Sequence, residues 1–358
     1  MASNPTQSDP LLSVENVTVN FEQKSGGLNP FRKPTIVNAV NDVSFELFEN
    51  DIIALVGESG CGKTTLGKAA IGLQEPTEGT ISYKGQDIYG SKRKSNGEIP
   101  FSQIRRSLQI IHQDPGSSLN PNQRILTSLS QPLKKWYSNL SRSERQEYIF
   151  GMLETVGMAP PDDYAYRYPH QLSGGEKQRI ALVRALLMNP TVILGDEAIS
   201  ALDVSLRVDM MDLILELQDR FDTSYIFISH DLSNARYLAE NANGRIGVMY
   251  LGQLVEIGPA REIIHDPQHP YTKALRWATP ELFPDRKGTL PLRDIDVPDP
   301  TDPPSGCRFH TRCPEARETC RKVEPRKTTV DGSDRHMTKC FRNQDDHEYW
   351  ESEELSDD

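Results

Sequence analysis

The segment Gly57–Thr64, which reads GESGCGKT, constrains the fold more than any other part of the chain. It fits the pattern of a glycine, four residues, a glycine, a lysine and a serine or threonine. A short apolar run, Ile52–Val56, comes before it, and a helical pattern from about Lys63 to Gly72 follows it. This order predicts a buried strand, a tight loop and a helix, an arrangement that binds phosphate groups.

Each part of this segment has a role in holding a nucleotide. The glycines allow backbone N–H groups to point inward around phosphate oxygens, and the helix directs the positive end of its dipole at the same anion. Lys63 supplies a charge for the β- and γ-phosphates, the Thr64 hydroxyl can bind Mg²⁺, and Thr65 can donate to the α-phosphate. The expected nucleotide-binding residues here are Gly57, Glu58, Ser59, Gly60, Cys61, Gly62, Lys63, Thr64 and Thr65.

Two more apolar runs end in polar residues. Val192–Leu194 is followed by Asp196 and Glu197, and Tyr225–Ile228 is followed closely by His230. Three such runs predict a parallel sheet that is covered on both faces. Ligands bind at the carboxyl ends of the strands in sheets of this kind, so we expect these polar side chains near the phosphate loop.

The polar residues after these strands suit ATP hydrolysis. Asp196 can hold Mg²⁺ through water, and Glu197 can polarise an attacking water molecule. Taken alone, the two acids also fit an ordinary strand-to-turn pair, but behind a phosphate loop we favour the catalytic interpretation. His230 is a candidate γ-phosphate sensor, although a lone histidine is more often structural. Gln113 is a candidate for binding Mg²⁺ or positioning water.

The remaining patterns outline the rest of the domain. Apolar and polar residues alternate in Leu11–Phe21 and in Val43–Leu47, which predicts strands of a half-exposed sheet with a loop over Gln23–Pro34 between them. Helix-forming residues dominate Ser141–Gly157 and Glu176–Met188, which predicts a mostly helical insertion. Farther on, a proline-rich stretch from 291 to 304 predicts a linker.

The charge is concentrated at one end of the chain. Of the 358 residues, the stretch Asp345–Asp358 contains eight acids and no lysine or arginine, so most of the net charge of -11 lies there. We expect this tail to be disordered, with solubility as its simplest role. The body carries no basic patch for nucleic acid. No apolar stretch approaches the ~18–20 residues that span a bilayer, and the first residues do not form a secretion signal, so we expect a cytosolic protein.

The segment Leu172–Arg179, LSGGEKQR, resembles the signature motif of ABC ATPases. Its serine and glycines precede a helix that begins near Glu176, which gives a second N-terminal site for an anion. The resemblance implies a head-to-tail dimer in which this motif closes on the ATP of the partner. The residues assigned to that contact are Ser173, Gly174, Gly175 and Glu176.

Other ABC elements are matched residue by residue. Gln113 resembles the Q-loop glutamine, Asp203 in Ser200–Asp203 resembles the D-loop aspartate, and His230 resembles the switch histidine. Phe21 falls where the family places an aromatic side chain against adenine. The implied fold class is α/β, a P-loop NTPase of ABC type with a RecA-like core and parallel sheet, an antiparallel β subdomain, a helical subdomain and a small C-terminal extension.

The resemblance gives the expected domain boundaries. Residues 1–10 form an N-terminal tail, 11–260 the nucleotide-binding domain with its helical subdomain at about 114–178, 261–343 the cysteine-bearing extension, and 344–358 an acidic disordered tail. Ala198 and Ile199 depart from the family, since most members have Pro-Thr after the glutamate. A regulatory subunit that binds ATP but hydrolyses it weakly therefore stays open as an alternative.

Four further segments narrow the assignment. These segments are Asp114–Pro121, Tyr168–His170, Met249–Gly252 and His269–Leu275. They resemble the ATPases of oligopeptide/dipeptide (peptide/nickel) importers. Of the two ATPase subunits usual in that family, the chain is more similar to the second, F-type subunit. This likeness implies ATP and Mg²⁺, a non-identical second ATPase, two membrane permeases, an extracytoplasmic substrate-binding protein and a position at the cytoplasmic face of the membrane. It leaves peptides, nickel and oligosaccharides open as substrates.

A rival function is that of a non-transport ABC ATPase that acts on ribosomes or DNA. Such proteins usually carry two ATPase units or a long coiled coil. This chain has one phosphate loop, one signature motif, no heptad run and no basic patch. These features favour the transporter subunit, and we expect no nucleic-acid partner.

Four of the five cysteines lie near the C-terminus, at Cys307, Cys313, Cys320 and Cys340. Stable disulfides are rare in the cytosol, so clustered thiols there suggest a metal. Their spacing is wider than that of a usual zinc finger, and four thiolates can hold a [4Fe–4S] cluster. The segment from Gly306 to Pro314 also resembles the cysteine motif of oligopeptide/dipeptide ATPases, where some members carry such a cluster. An iron–sulfur cluster, zinc and unligated thiols all remain open.

Overall fold

The computed structural model describes residues 9–23, 35–94, 97–279, 292–294, 296–345 and 348–355. The expected loop at 24–34 and most of the segment before the expected linker lie outside these ranges. The strands are β1 (Leu12–Gln23), β2 (Thr35–Leu47), β3 (Ile52–Val56), β4 (Glu78–Tyr83), β5 (Gln86–Asp87), β6 (Leu108–Ile111), β7 (Val192–Asp196), β8 (Ser224–Ile228), β9 (Arg245–Tyr250), β10 (Gln253–Pro259), β11 (Thr328–Val330) and β12 (Ser333–Thr338).

Twelve α-helices accompany the strands in the described residues. They are α1 (Lys63–Ala70), α2 (Ile88–Lys94), α3 (Phe101–Ser107), α4 (Ile125–Trp136), α5 (Arg142–Thr155), α6 (Asp162–Ala165), α7 (Gly174–Leu186), α8 (Val204–Phe221), α9 (Leu232–Asn241), α10 (Ala260–His265), α11 (Pro270–Ala278) and α12 (Glu318–Lys322). Short 3₁₀ helices cover Pro115–Ser118, Pro169–Gln171, Phe341–Asn343 and Glu348–Glu351. Over the described part of the chain, no helix is both long enough and apolar enough to cross a membrane.

The chain divides into two compact units, and the first contains two sheets. This unit comprises the described residues up to Leu47, then Ile52–Asp87, then those from Ser229 onward. One sheet has the order β2-β1-β4-β5 and is antiparallel throughout. In the other sheet the order is β11-β12-β10-β9-β3, and β3 and β9 run parallel. All five residues of β3 are buried, as its continuous apolar run predicts.

The second unit comprises Phe48–Asp51 and Ile88–Ile228. Its strands β8, β7 and β6 are parallel neighbours, and β7 and β8 are buried along their whole length. The predicted helical insertion also lies in this unit. Its helix α5 begins with a capping box, because the Ser141 hydroxyl accepts from the Glu144 N–H and the Glu144 carboxylate accepts from the Ser141 N–H. The parallel order of β6, β7 and β8 agrees with the parallel sheet that the sequence predicts.

The cysteine-bearing extension is not a separate layer, because its strands β11 and β12 join a sheet of the first unit. Its strand β12 pairs with β10, where Glu256 lies opposite Thr338. His336 on β12 lies between two carboxylates, with Nε2 2.8 Å from Glu256 Oε1 and Nδ1 3.1 Å from Glu262 Oε2. Phe309 belongs to the same apolar core as Ala54 and Val56 of β3. The extension is therefore built onto the sheet that leads to the phosphate loop.

The acidic tail is anchored through Tyr349 and Leu355, although most of its described residues are exposed, so the expected disorder from 344 onward is wrong at these two positions. Tyr349 is 2% exposed, stacks on Phe341 and donates its hydroxyl to the Glu315 carbonyl at 2.6 Å. The Leu355 N–H donates to the Ala316 carbonyl at 3.1 Å. The number of acids in the tail does not reveal these contacts, because they are made by the aromatic and aliphatic side chains among the acids.

Candidate nucleotide-binding site

The phosphate loop begins where β3 ends, and its backbone takes conformations that favour glycine. The φ angles of Gly57, Gly60 and Gly62 are 148°, 78° and 103°. A Cβ atom at Gly57 would overlap the Met249 carbonyl oxygen, and one at Gly62 would overlap the Ala39 carbonyl oxygen. Glycine is required at both positions because no side-chain carbon fits beside these backbone groups.

Lys63 holds its positive charge inside this loop. The side chain is 5% exposed, and Nζ donates to the carbonyl oxygens of Gly57 and Glu58 at 2.8 and 2.9 Å. Helix α1 starts at Lys63, with a glycine at its N-cap and no acidic residue in its first turn. The buried Cys61 thiol lies 3.6 Å from Nζ, and burial raises the pKa of this thiol although Lys63 opposes the shift. An ammonium group beside a helix N-terminus is suited to a polyphosphate.

Glu58 has partners that sequence reasoning missed. Its backbone N–H donates to the Tyr271 hydroxyl at 2.9 Å. Its carboxylate accepts from both terminal nitrogens of Arg312, at 2.9 and 3.0 Å. Both partners lie in segments that resemble oligopeptide/dipeptide ATPases, but no spacing in the sequence points from them to the phosphate loop.

His230 lies near the strand that leads into the loop. The N–H of Ser229 donates to the Leu55 carbonyl of β3 at 3.0 Å, and the exposed His230 follows directly. Asp231 then caps α9 by accepting from the Ser233 N–H at 2.8 Å. The structure thus places the predicted sensor at the carboxyl end of β3, in the same unit as the phosphate loop.

Phe21, the expected adenine contact, is 41% exposed on β1. It pairs with Val37 on β2, two residues before Ala39, whose carbonyl borders the loop at Gly62. An exposed aromatic ring on the strand next to this contact is available for stacking.

Gln113, Asp196 and Glu197 meet at one sheet edge in the second unit. In the parallel pair of β6 and β7, Ile111 lies opposite Gly195, so Gln113 and Asp196 follow at neighbouring strand ends. Gln113 is exposed and Asp196 is 8% exposed. The sheet therefore gathers an amide and two carboxylates, which supply the oxygen ligands that Mg²⁺ prefers.

Glu197 has a strained backbone for a residue with a side chain, since its φ is 51°. Its N–H donates to the Ile228 carbonyl at 3.2 Å, and its carbonyl accepts from the N–H and hydroxyl of Ser200 at 3.1 and 2.9 Å. Such strain persists only where the surroundings enforce it, and it is frequent at functional sites. The unusual Ala198 and Ile199 that follow are both buried.

The signature segment forms the start of α7. Ser173 is the N-cap, its hydroxyl accepts from the Glu176 N–H at 3.3 Å, and its own N–H donates to the Glu176 carboxylate at 2.7 Å. Ser173 and Gly174 are exposed. Leu202 lies 4.0 Å from where a Cβ of Gly174 would be, which brings the D-loop beside the helix start, and Asp203 is also exposed.

The four C-terminal cysteines line one cavity, together with aromatic and histidine side chains. Burial raises the pKa of all four thiols, to about 11 for Cys340, and nearby thiols contribute to the shifts of Cys307, Cys313 and Cys340. Among the described residues, no group of three or more His, Cys, Asp or Glu side chains is arranged to hold a metal ion. Thiol sulfurs are the donor type that an iron–sulfur cluster takes, but as placed these four line an apolar pocket and are not arranged around a metal ion.

Comparisons with known proteins agree with these features. Residues 40–200 match the family described as "ABC transporter", and residues 255–320 match "Oligopeptide/dipeptide transporter, C-terminal region". The chain is 41% identical to the di/tripeptide transport ATP-binding protein DppF of Pseudomonas aeruginosa, over 90% of this chain and 95% of that protein. It is 39% identical to the oligopeptide transport ATP-binding protein OppF of Escherichia coli, over 93% and 96% of the two chains.

The fold is also similar to solved ABC cassettes. A dimeric post-hydrolysis state of the ATP-binding cassette MJ0796, bound to ADP and Pi, matches with a TM-score of 0.57 and 26% identity. The match covers 70% of this chain and 99% of that one. The cbiO1 protein of Clostridium perfringens matches with a TM-score of 0.59 at 22% identity, which supports the fold alone.

Proposed function

Because the chain belongs to the ABC transporter ATP-binding proteins of the oligopeptide/dipeptide type, we propose that it powers the uptake of oligopeptides or dipeptides. The observation that carries this proposal is the likeness to peptide transport ATP-binding proteins along 90% or more of the chain. The protein is an ATPase of the ABC class. As a peripheral subunit at the cytoplasmic face of the membrane, it would act with a non-identical second ATPase, two permeases and an extracytoplasmic binding protein.

In the proposed mechanism, Lys63 and the loop N–H groups hold the β- and γ-phosphates of ATP. Thr64, Gln113 and Asp196 are the residues that would supply oxygen ligands for Mg²⁺, which would neutralise charge on the phosphates. Glu197 orients and polarises the attacking water.

In the proposed head-to-tail dimer, each chain completes the nucleotide site of the other. The exposed Ser173 and the α7 N-terminus would complete the partner's site, as the partner's signature motif would complete this one. His230 would report on the γ-phosphate from the end of β3. ATP binding would then close the dimer, and this closure would pull on the permeases. Hydrolysis would reopen the dimer.

The proposal is tested by recovering the chain from its own membranes and adding candidate substrates with the co-purified binding protein. We expect a second ATPase and two permeases in the complex, and ATP hydrolysis that rises with short peptides. A rise with nickel or oligosaccharides but not with peptides would contradict the substrate. Recovery with ribosomes or DNA in place of permeases would favour the rival class of ABC ATPase.

We also propose that Cys307, Cys313, Cys320 and Cys340 hold a [4Fe–4S] cluster. Four thiols around one cavity support this, and a bound cluster would join the segments that carry them. Its role would be structural.

Anaerobically purified protein should contain about four iron and four sulfide atoms per chain. Replacing Cys313 by serine should remove most of this iron. The matched control is Cys61→Ser, which alters the phosphate-loop thiol and should leave the iron content unchanged. Stoichiometric zinc, or protein with neither metal, would contradict the cluster.

A further inference from the structure

The contact between Arg312 and Glu58 joins the cysteine-bearing extension to the phosphate loop. The two guanidinium nitrogens lie 2.9 and 3.0 Å from the two carboxylate oxygens, so the pair is bidentate. The Arg312 side chain is 5% exposed and that of Glu58 is 30% exposed. Because the guanidinium is buried, separating this pair is costly, which distinguishes it from a surface ion pair.

Aromatic rings, a hydroxyl and a backbone carbonyl surround the Arg312 guanidinium. The group lies 5.7 Å from the ring centre of Tyr250 and 5.8 Å from that of Phe309. Its NH1 is 3.5 Å from the Tyr250 hydroxyl, and its Nε donates to the Asp294 carbonyl at 3.4 Å. The Arg312 N–H donates to the Phe309 carbonyl at 3.0 Å within the turn that ends at Cys313. The arginine is therefore held in place by Tyr250 of β9 and by Phe309 and Asp294 of the extension.

Glu58 in turn is held from three directions. Arg312 binds its carboxylate, Tyr271 accepts from its N–H, and Lys63 donates to its carbonyl. The same Lys63 is the residue expected to bind the phosphates. An unpaired carboxylate in a loop that receives a polyanion would repel it, and the repulsion would be strong in a partly buried site.

We propose that Arg312 is a positioning residue for ATP, which fixes the phosphate loop through Glu58 and cancels the negative charge of that carboxylate. The extension thereby stabilises the phosphate loop, and the nucleotide site needs this contact to bind ATP with full affinity. This inference rests on the proposed role of Gly57–Thr64 in binding ATP.

The test measures the Kd of a non-hydrolysable ATP analogue with Mg²⁺ on the purified full-length chain. Arg312→Gln should raise the Kd about tenfold, which corresponds to ~1.4 kcal/mol. Arg312→Lys keeps the positive charge but cannot make the bidentate contact, so its Kd should lie between that of Arg312→Gln and that of the wild type. The double variant Glu58→Gln with Arg312→Gln removes the unpaired carboxylate and should bind about threefold more tightly than Arg312→Gln alone.

Arg321→Gln is the matched control, because Arg321 pairs with Glu318 inside the extension and its side chain is 56% exposed. This variant should bind the analogue as the wild type does. Thermal unfolding of every variant without nucleotide identifies loss of fold. A wild-type Kd for folded Arg312→Gln, or a double variant that binds no better than Arg312→Gln, would overturn the proposal. If Lys63→Ala binds normally, the phosphate-loop assignment itself fails, whatever Arg312 does.

Discussion

Replacing Glu197 by glutamine should leave ATP binding intact and lower the rate of ATP hydrolysis by at least about a hundredfold, the lower end for loss of a general base. The side chain keeps its size and its place after β7, but an amide cannot take a proton from water. The substitution also leaves the backbone contacts of Glu197 unchanged, since its N–H and carbonyl bond to Ile228 and Ser200. The expected outcome is therefore a selective loss of turnover.

Two measurements check this prediction: the kcat for phosphate release by the assembled transporter, and the Kd for ATP. Glu216→Gln on the exposed face of α8 is the matched control and should retain wild-type kcat. Hydrolysis near the wild-type rate in Glu197→Gln would exclude the proposed role. Loss of both binding and hydrolysis would show that Glu197 is needed for the shape of the site.

The neighbouring Ala198 and Ile199 bear on the same experiment. They replace the Pro-Thr of most ABC ATPases, yet both are buried, and the Leu202 N–H donates to the Ile199 carbonyl at 3.2 Å. The turn that carries Glu197 into the D-loop is thus formed without proline. We therefore expect the wild-type complex to hydrolyse ATP at a rate that Glu197→Gln clearly lowers.

The parts of the site that depend on local pattern could be predicted from the sequence. The phosphate loop, its strand and the start of α1 follow from glycine spacing and from one apolar run. The signature helix α7 was expected to begin near Glu176 and begins at Gly174, because Ser173 is the residue that caps it. Such features involve neighbours within a few positions, which periodicity and capping rules describe.

Contacts between distant segments could not be predicted in this way. Arg312 and Glu58 are 254 positions apart, and contacts such as the pairing of β12 with β10 and the shared core bring the extension to the loop. The tail was misjudged for a related reason, since Tyr349 is buried by contacts with Phe341 and not by its acidic neighbours. Composition describes the average of a segment, whereas burial depends on single side chains.

Gly62→Ala should weaken ATP binding by at least about a hundredfold, a loss of ~2.7 kcal/mol or more. Gly62 has φ 103° at the N-cap of α1, and an added Cβ would overlap the Ala39 carbonyl of β2. Either β2 must move or the loop must leave its present backbone conformation. Both changes displace Lys63, the next residue, whose ammonium lies inside the loop.

Gly85→Ala is the matched control for this prediction. Gly85 has φ 76° in the turn between β4 and β5, and nothing lies within 4 Å of its Cβ position. That variant should lose about 1–2 kcal/mol of folding free energy through left-handed strain, with its ATP affinity unchanged. Chemical denaturation separates the two effects, since Gly62→Ala should lose affinity beyond what its lower stability explains. Wild-type ATP affinity in Gly62→Ala would mean that the nucleotide does not depend on this loop conformation.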